Sequence, residues 1–261
     1  MLHLLKRHPV SIEAHFDFVL VLTYAFEKKL LEPLLAPGLE LDTFKHGDDE
    51  LAFVAVALVQ TNHMRPRGLP EFISQEFFLA GYRVFVRYKT RAGRRLRGLY
   101  ILRSDADKDH MVAFGNLLTH YKYHKSQVTA NVADGHVVVA VVSDDGLGNL
   151  SLTADTTVGA DYLPTGTPFA TVRDALKFAG PMPFTFDYER ETNSIIRVEG
   201  VRQNWHPRSV AVKLAEPPAF FEQQPFAAAT PILCSAFFIE DIPYYWKTGI
   251  TEKVLDGEES T

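Results

Sequence analysis

The segment HYKYHKS, residues 120–126, brings together side chains that can act as nucleophiles, bases or metal ligands. If the segment is extended, successive side chains point to opposite faces of the strand. Lys122 and His124 then share one face. The other face carries Tyr121, Tyr123 and Lys125. His120 and His124 could both reach one metal ion from their shared face, but no third ligand is evident and no metal site is predicted.

The segment MRPRGLP, residues 64–70, contains a pair of arginines that forms a second candidate site. A guanidinium can bind a carboxylate through two parallel hydrogen bonds. Arg65 and Arg67 could therefore hold an anionic ligand. The alternative is that both arginines tie down a loop.

Several established kinds of active site have no counterpart in this sequence. It contains no G-x-S-x-G, no G-x-x-x-x-G-K-[ST], no G-x-G-x-x-G after a predicted strand and no H-E-x-x-H. These absences remove the usual signatures of hydrolases of the nucleophile-elbow type, P-loop proteins, dinucleotide-binding enzymes and zinc metalloproteases. No cofactor is predicted.

Composition limits the partners and the compartment. The formal net charge of -5 offers no basic surface for nucleic acid, and the arginine-rich RAGRRLR, residues 91–97, is interpreted as a solvated hairpin loop. The single cysteine, Cys234, cannot form an intramolecular disulfide, which favours a reducing compartment. The first residues lack the pattern of a secretory signal, and no apolar run reaches the roughly 18 residues of a membrane span. The expectation is a cytoplasmic protein that binds no membrane.

The elements that must position these side chains are mostly strands. Alternating apolar residues bounded by turn residues predict strands along most of the chain. The predicted strands are 15–26, 51–61, 82–90, 96–103, 125–132, 136–143, 150–156, 184–190, 194–201, 209–215 and 232–240. The predicted helices are 27–35, 107–120 and 168–180, with Asp107 or Asp109 available to cap the second. Asp134-Gly135 predicts a type I′ hairpin turn.

Strands outnumber helices, hairpins link neighbouring strands, and no regular β-α-β alternation is present. The predicted fold class is therefore α+β, mostly β, built as an antiparallel β-barrel with a few short helices. The length favours one domain over residues 1–250. The polar tail 251–261 is predicted to be disordered.

The segment FDFVLVLTYAFEKKLLEPLLAPGLELDTF, residues 16–44, resembles the opening of acetoacetate decarboxylase-like proteins, in which a strand, a short helix and a turn similar to L-P-x-G-L-E precede the next strand. MRPRGLP, the strand at 82–90, a hairpin and the helix at 109–119 follow in the same order. TPFATVRDALKFAGPMPFTFDYE, residues 167–189, and EGVRQNWHP, residues 199–207, resemble the uncharacterised bacterial YqjF-like branch of that superfamily. The resemblance covers residues 14–215.

This resemblance implies a cone-like antiparallel barrel that encloses a ligand cavity, and an oligomeric assembly. In the decarboxylases, a cavity lysine forms a Schiff base with a β-keto acid, and a neighbouring lysine together with desolvation lowers the pKa of its amine. The family's adjacent lysines correspond to the segment 120–126. The resemblance therefore makes Lys125 and Lys122 the catalytic candidates, together with His124 between them.

The sequence also departs from the family's pattern. Alternation places the two lysines on opposite faces, and the family's carboxylate-binding arginine corresponds to about Asp17. Its cavity glutamate corresponds to about Leu79, although Glu76 lies close by and Arg83 could project from the same strand. True acetoacetate decarboxylation is not expected. The ligand-binding candidates are Arg83, Glu76, Arg65 and Tyr123.

Two ligand-binding functions from different classes remain open, and a purely structural or scaffold role is a third possibility. The first is a lyase or Schiff-base-forming enzyme that acts on a small carbonyl or carboxylic compound in the barrel cavity. The second is a non-catalytic protein that holds an apolar or weakly acidic metabolite, with Arg83 or Arg65 as its polar anchor. Both involve a small-molecule ligand, and both are compatible with a homo-oligomer.

Overall fold

The computed structural model describes residues 2–180 and 182–254 and contains fifteen strands within them. The strands are β1 (Ile12–Glu27), β2 (Leu39–Leu41), β3 (Phe44–His46), β4 (Asp49–Pro66), β5 (Gln75–Lys89), β6 (Arg95–Ala106), β7 (Tyr123–Ala133), β8 (His136–Ser143), β9 (Leu150–Asp155), β10 (Phe184–Glu189), β11 (Ser194–Arg202), β12 (Arg208–Ser209), β13 (Ala211–Leu214), β14 (Ile232–Trp246) and β15 (Ile250–Lys253). The mostly β composition predicted from alternation is confirmed.

Helices are few and short in the described part of the chain. They are α1 (Lys28–Leu31), α2 (Asp109–Leu118) and α3 (Val172–Ala179). Short 3₁₀ segments occupy Leu2–Arg7, Glu32–Leu34, Glu71–Ile73, Arg190–Thr192, Ala219–Glu222 and Phe226–Ala228. The helix predicted over 27–35 stops after one turn of α-helix and continues as a 3₁₀ turn that contains Pro33, because proline lacks the N–H that an α-helix needs.

Two helix starts differ from the sequence-based expectation. At α2 the cap position is Lys108, and its side chain forms no capping bond. The carboxylate of Asp107 instead accepts the backbone N–H of Phe78 at 2.8 Å. At α3 the hydroxyl of Thr171 caps the helix by accepting the N–H of Asp174, so the helix begins at Val172 rather than at residue 168. Tertiary hydrogen bonding decided the first case, since Asp107 binds a strand rather than its own helix.

The pairings of the long strands form a closed circuit, in which the last strand pairs with the first. From β6 it runs through β10, β11, β14, β1, β4 and β5, and β5 pairs again with β6. A second set, β7, β8, β9 and β13, extends from β6. The expectation of a purely antiparallel sheet is wrong in detail, because β6 runs parallel to both β10 and β7. The helix α2 between β6 and β7 provides the crossover that a parallel pair needs.

Both faces of the long strands are covered, and each face has its own apolar cluster. Leu20, Leu22 and Tyr24 of β1 belong to the first cluster, which includes Val139 of β8. Phe16 was predicted to share their face but joins the second cluster, which includes Phe169 and residues of α3. A register shift of β1 against β4 between Phe16 and Phe18 exchanges the faces.

The predicted hairpin turn at Asp134-Gly135 is confirmed, since both residues have the positive φ angles that a type I′ turn requires. Residues 251–253 of the predicted tail belong to β15, which pairs with β11. The rest of that tail, residues 255–261, lies outside the described residues. No helix in the described part of the chain is long and apolar enough to cross a membrane.

Candidate ligand-binding site

Arg83 is the central residue of the candidate site. It lies in the middle of β5, where its neighbours across the sheet are Ala55 of β4 and Ile101 of β6. Its side chain projects to the face of the second apolar cluster, to which Ala55 and Phe85 contribute. Gly81 provides the room, because an added Cβ there would lie 3.1 Å from the Arg83 Nε.

The guanidinium of Arg83 is surrounded by protein, yet the residue keeps some accessible surface. Its Nε is buried and has no hydrogen-bond partner among the described residues. Burial lowers the pKa of Arg83, and the groups that act in the opposite direction are tyrosines rather than carboxylates. Arg83 therefore presents an enclosed positive charge without a matching negative side chain.

Three enclosed tyrosines, Tyr121, Tyr123 and Tyr244, lie within electrostatic reach of Arg83. Burial raises the pKa of all three phenols, that of Tyr123 to about 12. The phenols therefore remain protonated at neutral pH. A protonated phenol can donate a hydrogen bond to a bound oxygen atom.

Glycines on two other elements give the tyrosines their positions. A Cβ added at Gly115 of α2 would overlap the ring of Tyr123. A Cβ added at Gly200 of β11 would overlap the hydroxyl of Tyr244. With Gly81 beside Arg83, each of three polar side chains of the site lies against a glycine.

Arg202 adds a second positive charge beside Tyr244. The two residues are direct neighbours across β11 and β14, so their side chains leave the sheet on the same face. The guanidinium of Arg202 lies 5.0 Å from the ring centre of Trp205. Burial lowers the pKa of Arg202, and Tyr244 is the group that opposes this shift.

Two hydroxyls extend the polar surface along the same row of residues. Thr23 of β1 is paired with Ala55, the neighbour of Arg83, and on its other side with Ser235 of β14. Both side chains are completely buried. Neither hydroxyl has a hydrogen-bond partner among the described residues. They are further unsatisfied polar groups on the face of the sheet that Arg83 occupies.

Asp187 of β10 lies near Tyr121 and binds both His8 and the backbone of His120. The Nε2 of His8 is 3.2 Å from the Asp187 carboxylate, which also accepts the backbone N–H of His120 at 3.3 Å. The ring of His8 packs 5.1 Å from that of Tyr121. These contacts hold Tyr121 in place, because its neighbours are bound to one buried carboxylate.

The structure separates the predicted catalytic residues. Lys122 is exposed, precedes β7 and has a positive φ angle, which interrupts the predicted alternation. Lys125 donates from its Nζ to the backbone oxygen of Asp107 at 2.7 Å and lies 3.1 Å from the carboxylate of Asp109. His124 points to Asp145, with 3.3 Å between Nδ1 and Oδ2. The predicted role of these residues in catalysis stays a prediction.

The predicted ligand-binding residues also divide into two groups. Arg83 and Tyr123 lie within electrostatic reach of each other, and both are enclosed by protein. Glu76 is exposed. Arg65 forms a 2.9 Å ion pair with Glu13 and lines an open cleft of about 410 Å³, to which Tyr244 also contributes. Tyr244 thus lines the cleft and also lies within electrostatic reach of Arg83.

Sequence reasoning did not single out several residues of the site: Thr23, Gly81, Tyr121, Gly200, Arg202, Ser235 and Tyr244. For Gly81 a signal was present, because a glycine inside a strand pattern often marks the close approach of another group. The hydroxyls of Thr23 and Ser235 gave no signal, since both residues are common in exposed strands.

The sequence matches the DUF2071 family of uncharacterised conserved proteins over residues 13–236. A comparison with curated proteins finds no match.

Several solved structures share the fold at low sequence identity. Acetoacetate decarboxylase from Legionella pneumophila is 12% identical, with a TM-score of 0.59 over 93% of this chain and 87% of that chain. The enduracididine biosynthesis enzyme MppR complexed with pyruvate is 14% identical, with a TM-score of 0.57 over 93% and 90%. An acetoacetate decarboxylase-like enzyme from Sphingomonas wittichii RW1 is 12% identical, with a TM-score of 0.57 over 95% and 94%.

These likenesses confirm the acetoacetate decarboxylase-like fold that the family resemblance implied. At this level of identity they show the fold and leave the activity open. The chain therefore belongs to the DUF2071 family of uncharacterised conserved proteins and has the acetoacetate decarboxylase-like fold.

Proposed function

We propose that this protein binds a small carboxylate-bearing metabolite in the interior of a β-barrel, with Arg83 as the anchor of the carboxylate. The seven strands whose pairing returns to β6 support such a barrel. The observation that carries the proposal is the enclosed guanidinium of Arg83, whose Nε has no partner among the described residues. Leaving a charge buried and unpaired is costly, so a binding partner of opposite charge is the expected complement.

The phenols complete a site that suits a carboxylate with a second oxygen nearby. Tyr121, Tyr123 and Tyr244 are held protonated, so each can donate to an anionic or carbonyl oxygen. The structural relative MppR is complexed with pyruvate, a small oxo acid. That ligand supports the same chemical class for this chain.

The lysine chemistry of the decarboxylases has less support. On β7, Tyr123 is near Arg83, whereas the amine of Lys125 is bound to Asp107 and Asp109. An imine at Lys125 would require the amine to leave both partners. Binding without an imine is therefore the function that the geometry supports best.

The test is isothermal titration calorimetry with acetate, pyruvate and acetoacetate. We expect saturable binding of at least one of these acids by the wild type. Arg83→Gln should weaken binding by about tenfold or more, because a hydrogen bond to a charged group contributes about 1.5–3 kcal/mol. The matched control is Arg94→Gln, which removes an exposed arginine of the β5–β6 hairpin. Equal affinity of Arg83→Gln and the wild type would overturn the proposal.

Borohydride reduction in the presence of the same acids separates binding from imine chemistry. We expect an unchanged protein mass. A reduced adduct that maps to Lys125 or Lys122 would instead support the Schiff-base enzyme predicted from the family resemblance.

A further inference from the structure

Burial raises the pKa of the Tyr244 phenol, and the positive charges of Arg202 and Arg83 both act to lower it. Arg202 is the direct neighbour of Tyr244 across the β11–β14 pair, and Arg83 of β5 lies within electrostatic reach of the same phenol. Both guanidinium groups are largely enclosed, and neither forms an ion pair with a described carboxylate. The phenol of Tyr244 is thus near two positive charges that the protein leaves uncompensated.

Other enclosed or half-buried arginines of this protein have carboxylate partners. Arg103 binds two carboxylates, and Arg7 binds Glu189. An enclosed cation without such a partner destabilises the fold. Two of them near one phenol indicate that the missing negative charges come from a ligand.

We propose that the ligand is a small dianion, one carboxylate of which binds Arg83 while a second anionic group binds Arg202, with Tyr244 between them. This inference rests on the proposed function and narrows it to a chemical class, the short dicarboxylates. Trp205 supports the second end of the site, because its ring orients the guanidinium of Arg202.

The experiment compares dicarboxylates with monocarboxylates of equal chain length by calorimetry. The pairs are succinate with butyrate, glutarate with pentanoate, and adipate with hexanoate. At the best length we expect the dicarboxylate to bind about tenfold tighter or more. Arg202→Gln should remove that advantage and leave binding of the monocarboxylate, whereas Arg83→Gln should weaken both. Arg208→Gln is the matched control, since Arg208 also lies over an aromatic ring but is exposed.

The outcomes separate the two proposals. If monocarboxylates bind and no dicarboxylate binds more tightly, the dianion inference is wrong and the proposed function stands. A dicarboxylate advantage that survives in Arg202→Gln also overturns the inference. If no acid of either kind binds, the proposed function fails as well.

The outer edge of β7, on the side that faces away from β8, is open over most of its length. This strand pairs with β6 only through Tyr123–Lys125 and with β8 along its length. Beyond Lys125 the side of β7 that faces away from β8 meets no other described strand. Residues 129–133 are exposed. β7 therefore presents an open strand edge along these residues.

The hydrogen-bond pattern shows which backbone groups this edge offers. The backbone oxygen of Lys125 accepts the N–H of Asp144, so these residues form a hydrogen-bonded pair. Such pairs alternate along an antiparallel ladder. The N–H and C=O groups of Val128, Ala130 and Val132 therefore point away from β8.

The side chains of this edge lack the features that protect free edges in other proteins. The run QVTANVA, residues 127–133, contains no charge and no proline. Natural edge strands are usually guarded by lysine, proline, a bulge or a covering element, because an open edge can pair with another chain.

We further infer that β7 pairs antiparallel with β7 of a second copy of this chain about a two-fold axis at Ala130. In this register Val128 of one copy faces Val132 of the other, and Thr129 faces Asn131. The pairing brings no like charges together and satisfies the outward backbone groups of both copies. The two β7–β8 sheets would then form one continuous sheet.

Analytical ultracentrifugation over a wide range of concentration tests this inference. We expect the wild type to dimerise and Ala130→Pro to remain monomeric, because proline removes the central outward N–H without breaking a bond to β8. The control Val142→Lys adds a charge on the exposed face of β8 and should still dimerise. Circular dichroism and thermal unfolding show whether each variant is folded.

Two results would contradict the inference. A wild type that stays monomeric at the highest concentration would show that β7 does not pair with β7 of a second copy. An assembly that persists in folded Ala130→Pro would show that the copies meet through another surface.

Discussion

Two enclosed arginines on neighbouring strands have opposite surroundings. Arg103 of β6 is 4% exposed and binds Asp105 at 2.7 and 2.8 Å and Asp145 at 2.8 and 2.9 Å. Arg83 of β5 has only tyrosines near its charge. A register shift between Tyr82 and Arg83 lies between the two arginines, so that Arg103 faces Tyr82 while Arg83 faces the second apolar cluster.

The pKa shifts express the same contrast. Burial acts to lower the pKa of both guanidinium groups. At Arg103 the hydrogen bonds to Asp105 and Asp145 outweigh burial and raise the pKa, whereas at Arg83 burial prevails and the pKa falls. The protein can thus neutralise a buried arginine with its own side chains, as it does at Arg103. At Arg83 it does not, which is expected where a ligand supplies the counter-charge.

The largest expected effect is on stability at Arg103. Arg103→Met should lower the free energy of unfolding by about 3–5 kcal/mol, because it leaves the buried carboxylate of Asp105 without its partner. Urea denaturation monitored by tryptophan fluorescence measures the change. A loss below about 1 kcal/mol, the usual value for exposed pairs, would mean that the ion pairs of Arg103 contribute no more than exposed ones.

Arg83→Met should behave in the opposite way. Removing an unpaired enclosed charge should leave the free energy of unfolding unchanged or raise it by about 1 kcal/mol or more. The affinity for a carboxylate should fall by about tenfold or more, as for Arg83→Gln. Urea denaturation and calorimetry on the same preparation measure both quantities. A large loss of stability would show that Arg83 has a structural role, like Arg103.

A smaller loss of carboxylate affinity is expected when Arg83 itself is unchanged but its side chain is moved by a substitution nearby. In Gly81→Ala the added methyl group would meet the guanidinium Nε at 3.1 Å and push the side chain from its place. We expect a loss of carboxylate affinity of a few-fold up to about tenfold. Gly159→Ala is the matched control, since no atom lies within 4 Å of an added Cβ there. Equal affinities of the two variants would mean that the position of the guanidinium is not critical.

The smallest expected effect is on thermal stability at acid pH. It can be measured without a ligand, and it should depend on the ion pair of Arg103 and not on Arg83. The hydrogen bond from Arg103 holds the pKa of Asp145 below its usual value. A lowered folded-state pKa contributes stability at pH values above the unfolded pKa, near 4, and that contribution is lost as the pH falls further. Asp145→Asn should therefore reduce the fall in Tm between neutral pH and pH values below about 4.

The exposed Asp161→Asn variant serves as the control for the change of charge, and Arg83→Met should leave the acid dependence as in the wild type. Thermal unfolding across the acid range measures all three variants. A wild-type pH profile in Asp145→Asn would show that its ion pair contributes little to acid stability.

Local patterns predicted most of the strands and the hairpin at Asp134-Gly135, because alternation and turn chemistry depend on neighbouring residues. They failed at Phe16, where a register shift changed the face, and at Lys122, where a positive φ angle interrupted the alternation. Both failures have one cause. A single irregular residue reverses every later side chain of a strand, and sequence alternation cannot locate it.

The candidate site was predicted in part. Arg83 and Tyr123 were both named from the sequence, and the structure brings them together. Arg202 and Tyr244 were missed, because they come from strands more than a hundred residues away from β5 and become neighbours only through the pairing of β11 with β14. Lys125 and Lys122 were chosen through the family resemblance, and their distinct surroundings depend on contacts with α2 and on the start of β7.

Residue types and short spacings were enough to predict the mostly β composition and to find several common catalytic motifs missing from the sequence. Which arginines are neutralised depends instead on long-range contacts. Arg83 and Arg103 have the same chemistry in the sequence, and their difference arises from the face of the sheet to which each points. Long-range pairing places carboxylates beside one and tyrosines beside the other, and the electrostatic energy of a buried charge depends on those neighbours.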